Sequence, residues 1–408
     1  MSFTAYEALD FIRENDVRFI SLAFCNLFGV EKNITLMAEE LKNAFESGIC
    51  VDMESVEGFD TEKDGDIFLF PDPKTLSILP WRPSQGRTVR FFCDMKRADG
   101  ERCQEDARYL LKSAVKELSE AGYSCNIGCE YEFYIFLLDE YGNPTLIPQD
   151  GAGFCDISPL DKGEDIRREI CTSLKEMGID IESSHHERGP GQNEIVFKYN
   201  NALKAADDFI TFRSVSEIIA NKNGLHVSFL PKPLEHKNGS SMHVNLSLSE
   251  NDINIFKTSR NEHNKIAESF MQGILDYLPQ MTLFLNPLKS SYFRFNADIP
   301  SRLTWSYENR NELVRIPSAK GDQQRMELRS PDPSCNPYLA FYLLIKAGLK
   351  GIKEKSCLIR PEDYKGEILP ETLKESVKIA EKSTFIKEVV PPAALRKFLE
   401  EKKKEYNL

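Results

Sequence analysis

The run NIGCEYEFYIFLL, residues 126–138, alternates between two kinds of side chain. Successive side chains of a strand point to opposite faces, so Cys129, Tyr131 and Phe133 share one face and Glu130 and Glu132 the other. Two more segments repeat the design. In SMHVNLSLS (241–249), His243, Asn245 and Ser247 oppose Met242, Val244, Leu246 and Leu248. In RMELR (325–329), Arg325, Glu327 and Arg329 oppose Met326 and Leu328. In a fourth segment, HHERGPGQNEIVF (185–197), Glu187 and Glu194 flank a Gly189–Pro190–Gly191 turn that brings both toward one point.

A sheet with one wet face alternates in the same way, and any one of these strands alone reads best as that. The composition of the polar faces shifts the balance. They carry glutamate, histidine and arginine rather than threonine, serine and lysine. Like charges packed this closely repel unless counter-ions sit between them. Five glutamates and a histidine suit a hard divalent ion such as Mg²⁺ or Mn²⁺. Neighbouring arginines suit phosphate and carboxylate groups, which guanidinium grips in a two-pronged way. Metal plus arginine on a concave sheet equips a site for phosphoryl transfer. No Walker loop, GxGxxG or kinase motif is present.

Around these strands the pattern is α+β. Helical spacing or caps predict helices over 6–15, 104–121, 164–178, 202–221, 262–278, from Asn336 onward, and over the tail from 393. Strands are expected over 17–36 (two, with a turn at Leu27–Gly29), in short pieces across 65–96, and over 179–183 and 227–233. With 408 residues, two domains are expected, 1–100 and 101–408, parted near the polar turn KRADGER. The net charge of −12 argues against a nucleic-acid partner. Ten scattered cysteines without a CxxC pair, and an N-terminus without a signal pattern, fit a reduced cytoplasmic setting. The longest apolar runs are too short to span a membrane. His185, His186, His226 and His236 read as surface or packing residues, as do Trp81 and Trp305.

Seven ordered motifs carry a resemblance to the glutamine synthetase family of the bacterial type, from about residue 15 to about 352. VDMESVEGF (51–59) resembles FDGSSIxGF, and GCEYEF the paired-glutamate strand. HHERGPGQNEI resembles HHExxPGQxEI, PKPLEHKNGSSMHVNLSL resembles PKPxxxxNGSGMHxNxSL, and NPLKSSYFRF resembles NPxxNSYxRL. NRNELVRIP and RMELRSPDPSCNPYLA resemble the two arginine segments.

The resemblance implies a β-grasp N-terminal domain and a catalytic domain with a curved antiparallel sheet flanked by helices. It implies an ATP-dependent glutamate–ammonia ligase acting through γ-glutamyl phosphate. Glu132, Glu187 and Glu194 would hold one metal, and Glu130, His243 and Glu327 another. Arg294 and Arg329 would grip glutamate beside Asn238 and Gly239, with Glu132 and His243 near the substrate. Arg310, Arg315 and Arg325 would hold ATP phosphates, with Arg310 also catalytic. Glu182, Asn245 and Ser247 fall at the nucleotide. Asp52 and Ser55 fall where the family binds ammonium, and would serve a neighbouring subunit's site in a ring of six, usually stacked into twelve. Asp298 aligns with the family's flap glutamate, in a shorter loop.

Met53–Glu54 and that loop instead favour an amine other than ammonia, and a non-catalytic assembly protein is the reading from another class. Ser241 stands where the family has glycine. The family's adenylylated tyrosine segment has no match in the short tail.

Overall fold

The computed structural model describes residues 3–54, 56–59, 66–81, 86–256 and 264–407. Two sheets organise them. The first has six strands from Val17–Cys25 to Arg87–Arg97, and its central pair, 17–25 with 87–97, is parallel. Its core includes Leu22, Leu69, Val89, Phe91 and Met53. The helix Leu41–Ser47 and strand Ile49–Asp52 in this part carry no pattern strong enough to have been expected from the sequence.

The second sheet has eleven strands. Its spine is Tyr123–Leu138, flanked on one side by Gln192–Phe197 and on the other by Met242–Glu250, then Met326–Leu328. It is antiparallel except where Trp305–Tyr307 runs parallel to Val314–Ile316, so it is mixed rather than purely antiparallel. The apolar faces of the alternating strands are buried as expected, with Tyr131, Phe133, Met242, Val244, Met326 and Leu328 at most 1% exposed. They pack on helices Ala107–Glu120, Ala202–Lys222, Lys265–Leu285 and Pro337–Glu354.

The Lys265–Leu285 helix continues past Pro279, beyond the stop expected at 278. Proline costs a helix one internal hydrogen bond, and here close packing on Pro337–Glu354 outweighs it. At that crossing a Cβ on Gly273 would meet the Ala347 carbonyl at 2.4 Å, so only glycine lets the two backbones approach so far. Asn336 caps the second helix through the Tyr338 N–H at 3.0 Å. The strand expected over 227–233 stops at Ser228, before Pro231.

Arg108 ties the two parts of the chain together. Its buried guanidinium bonds Asp207 of the C-terminal part (2.9 Å) and both Asp94 (3.0 Å) and Asp72 (3.1 Å) of the N-terminal part. Four partner oxygens replace the water it gave up, which is what a buried cation requires.

Candidate active site

Strand register builds the site. His243 lies opposite Glu130, Glu194 opposite Glu132, and Asn245 opposite Glu327. Directly opposed side chains stand close enough to touch, so three local alternations merge into one polar surface. It floors a cavity of about 950 Å³. Of the residues singled out in the sequence, Glu130, Glu132, Glu182, Glu187, Glu194, Asn238, Gly239, His243, Asn245, Ser247, Asp298, Arg310, Arg325 and Arg329 line it.

The set Glu130, His243 and Glu327 comes together with its ligand atoms within 4.8 Å of one another. His243 Nδ1 is 3.1 Å from Glu130 and 3.9 Å from Glu327. The other expected set is arranged differently. Glu132 and Glu194 meet with His243, whereas Glu187 and Glu194 meet with His185. Glu194 therefore joins two groups in one row, and His185, read from sequence as a packing residue, belongs to the row through Glu187 at 3.1 Å.

The row is electrostatically frustrated. Burial first, and then the charges of Glu132, Glu130, Glu187 and Glu327, push Glu194 up to about 10. Burial, reinforced by Glu187, pushes Glu132 up to about 7. Glu130 goes the other way: burial opposes it, but hydrogen bonds from His243 and Asn245 hold it at about 2. Buried carboxylates that would rather keep protons than share space are a donor set fitted to a divalent cation. Glu130, Glu132, Glu187, Glu194, His243 and Glu327 are the residues that would hold such ions.

The arginines divide. Arg329 reaches Glu327 at 2.5 Å and faces the cavity. Arg325 donates to Asn245 Oδ1 at 2.8 Å and Arg310 is exposed at the rim. Arg315 lies directly opposite Glu327 in register and bonds it at 2.7 Å. Arg294 departs from expectation. It is 0% exposed, and its guanidinium is taken by Ser241 Oγ (2.8 Å), the Ser330 and Pro331 carbonyls and Asp332, rather than facing the cavity. The hydroxyl of Ser241, where the family pattern has glycine, is what receives it.

Asp52 ends a strand of the other sheet, is exposed, and accepts the Glu54 N–H at 2.8 Å. It does not line this cavity. Ser55 lies outside the described residues. Asp298 does reach the cavity, but its Oδ2 accepts from Lys232 Nζ (2.6 Å) and the Gly239 N–H (3.0 Å).

Several supporting residues were not among the expected site residues, although Gln192 and His186 stand within the HHERGPGQNEI motif. Gln192 uses its whole amide: Oε1 accepts from Gly189 N–H (2.9 Å), and Nε2 donates to Glu132 (3.1 Å) and the Gly239 carbonyl (3.0 Å). Tyr134 Oη donates to the Asn238 carbonyl at 2.6 Å. His186 is fully buried, with Nε2 2.9 Å from Asp150 and Nδ1 2.6 Å from the Glu187 carbonyl. Both partners only accept, so both ring nitrogens donate and His186 is an imidazolium. Asp150 also accepts the Gly191 N–H (2.9 Å), and the pair thus pins the turn between Glu187 and Glu194.

No helix among the described residues is long and apolar enough to cross a membrane, and the ten cysteines are unpaired.

Two family models match in succession: the glutamine synthetase beta-Grasp domain over residues 16–98 and the glutamine synthetase catalytic domain over 104–408. A glutamine synthetase of Methanosarcina mazei is 39% identical, across 99% of this chain and 94% of its own. One of Clostridium saccharobutylicum is 41% identical, across 91% and 85%. The solved structure of ligand-free GmaS superposes with a TM-score of 0.89 at 27% identity, covering 98% of this chain and 95% of that one. With both domains matched in order and relatives alike over almost the whole length, the chain belongs to the glutamine synthetase family.

Proposed function

We propose that the chain is an ATP-dependent glutamate–ammonia ligase. The observation that carries this is the row of buried carboxylates and His243 beside Arg325 and Arg329 on one cavity wall, in a chain of this family. A carboxylate is a poor acyl donor because oxide is a poor leaving group. Phosphorylation repairs that: a γ-carboxylate oxygen of glutamate attacks the terminal phosphorus of ATP, and ADP leaves. Ammonia then attacks the acyl carbon, phosphate leaves, and glutamine results.

Arg310, Arg315 and Arg325 would neutralise phosphate oxygens, and Glu182, Asn245 and Ser247 would contact the nucleotide. Arg329, Asn238 and Gly239 would hold glutamate, with Arg294 shaping the wall behind Gly239. A bound divalent ion would supply positive charge for the transferring phosphoryl group. Asp52 and Ser55 of a neighbouring subunit would receive ammonium, and Asp52 would take its proton. That requires a homo-oligomer with shared sites, in a ring of six or a stack of twelve. The two domains would part near residue 100. A cytoplasmic location is supported by the unpaired cysteines.

The test is phosphate and glutamine formation from ATP and L-glutamate with Mg²⁺ or Mn²⁺ and a panel of ammonium and small primary amines. Turnover with ammonium is the expected result. Turnover only with an organic amine would replace ammonia by that amine, and turnover with none would overturn the ligase reading.

A further inference from the structure

The Lys232–Asp298 pair is a built contact. The lysine side chain is 7% exposed, the aspartate 13%, and the two are 2.6 Å apart. Lys232 stands between Pro231 and Pro233, and the Pro231 carbonyl accepts the Ser240 N–H at 2.8 Å, so its base is held. Asp298 is held from below as well. The Arg294 carbonyl accepts the N–H of Asp298 (2.8 Å) and of Ile299 (3.0 Å), and Ile299 is buried. Asn296 turns the loop with φ of 61° and bonds the Ile299 carbonyl at 2.8 Å.

The carboxylate so aimed lands on the Gly239 peptide. A Cβ there would meet Arg294 Cγ and the Pro231 carbonyl at 2.6 Å and Asp298 Oδ2 at 3.0 Å, so no other residue fits between them. From Gly239 the contacts continue through Gln192 to Glu132. Asp298, compensated by a lysine ammonium, presents little net negative charge to an arriving ammonium ion. It is placed as a strut.

We infer that Lys232 is a positioning residue: it fixes Asp298 on the Gly239 peptide, closing the 294–300 loop over the acyl end of the cavity so that the activated acyl group meets the amine before water. This rests on the ligase reading for its chemistry, though not for its geometry. Water attack on the acyl phosphate would return glutamate and phosphate, so a leaking loop shows as phosphate released without glutamine.

The full-length enzyme tests it through hydrogen exchange and product ratio together. In Lys232→Met, exchange at Gly239, Asp298 and Ile299 should quicken about tenfold or more, as expected for losing a charged hydrogen bond. The ratio of phosphate to glutamine should rise several-fold above about one. Lys232→Arg should restore both, and Asp298→Asn should reproduce the methionine variant. Unchanged exchange in Lys232→Met would overturn the latch. Equal quickening in the distant helix Ala202–Lys222 would do so too, by showing general loosening. Faster loop exchange with an unchanged product ratio would overturn the shielding role. A wild type that makes no amide would sink the ligase reading, while the exchange result would still decide the latch.

Discussion

Metal binding to this site should expel protons, and the number follows from the carboxylate row. Without a cation, burial and neighbouring carboxylates push Glu194 up to about 10 and Glu132 up to about 7. A divalent ion takes ionised carboxylates, so loading must release the protons they hold. That amounts to about two protons at pH 6 and about one at pH 8. Apparent affinity should rise about a hundredfold per pH unit below 7 and about tenfold per unit from 7 to 10. The sign for stability is opposite. Between the unfolded value of 4.5 and the raised folded values, the metal-free native state holds protons that the unfolded chain has lost. Its stability therefore falls as pH rises, by up to about 1.4 kcal/mol per unit for each group, across 4.5 to 7 for Glu132 and 4.5 to 10 for Glu194. Calorimetric titration of Mn²⁺ into stripped protein, in two buffers of different ionisation enthalpy at each pH, counts the protons. Glu194→Gln should remove about one at pH 8. Metal binding without proton release at both pH values would refute the reasoning.

Glu327→Gln removes the carboxylate that completes the His243 group and pairs Arg315 and Arg329. Turnover should fall by about a hundredfold or more, and unchanged activity would refute its assignment. Asp52→Ala and Glu327→Ala subunits, each inactive, should regain about a quarter of the wild-type sites when mixed equally in one closed ring. No recovery in mixed rings would show that Asp52 does not act in a neighbour. Arg108→Met leaves Asp72, Asp94 and Asp207 without their common cation and should cost about 3–5 kcal/mol in urea unfolding. A loss under 1 kcal/mol would mean that the domain junction does not depend on it.

The alternating strands were legible because their period is local: two residues settle which side faces the core. The same logic exposed Glu130, Glu132, His243 and Glu327 as one polar surface before any register was known. Register itself is not local. That Glu194 sits opposite Glu132 depends on how segments some sixty residues apart align. Arg294 looked like a substrate arginine because its motif says so, but its direction depends on Ser241 and on carbonyls at 330 and 331. Gln192 and Tyr134 act on backbone carbonyls, which leave no mark in a sequence, and the partner of Lys232 is Asp298, 66 residues away along the chain. The helix at 41–47 is short and the one through Pro279 defies a local rule, so tertiary packing decided both.

Gly239 carries one more implication. A peptide unit is planar and turns as a whole. The plane before Gly239 is held by Tyr134 on its carbonyl and Asp298 on its N–H; the plane after it by Gln192 and by the Pro231 carbonyl. A glycine usually contributes slack, and here four handles remove it. Only one of the four belongs to the loop. When the loop lifts, three remain, and the cradle keeps its shape while empty. Any closure of the loop then lands on a receptor that is already shaped, with no mutual ordering to wait for.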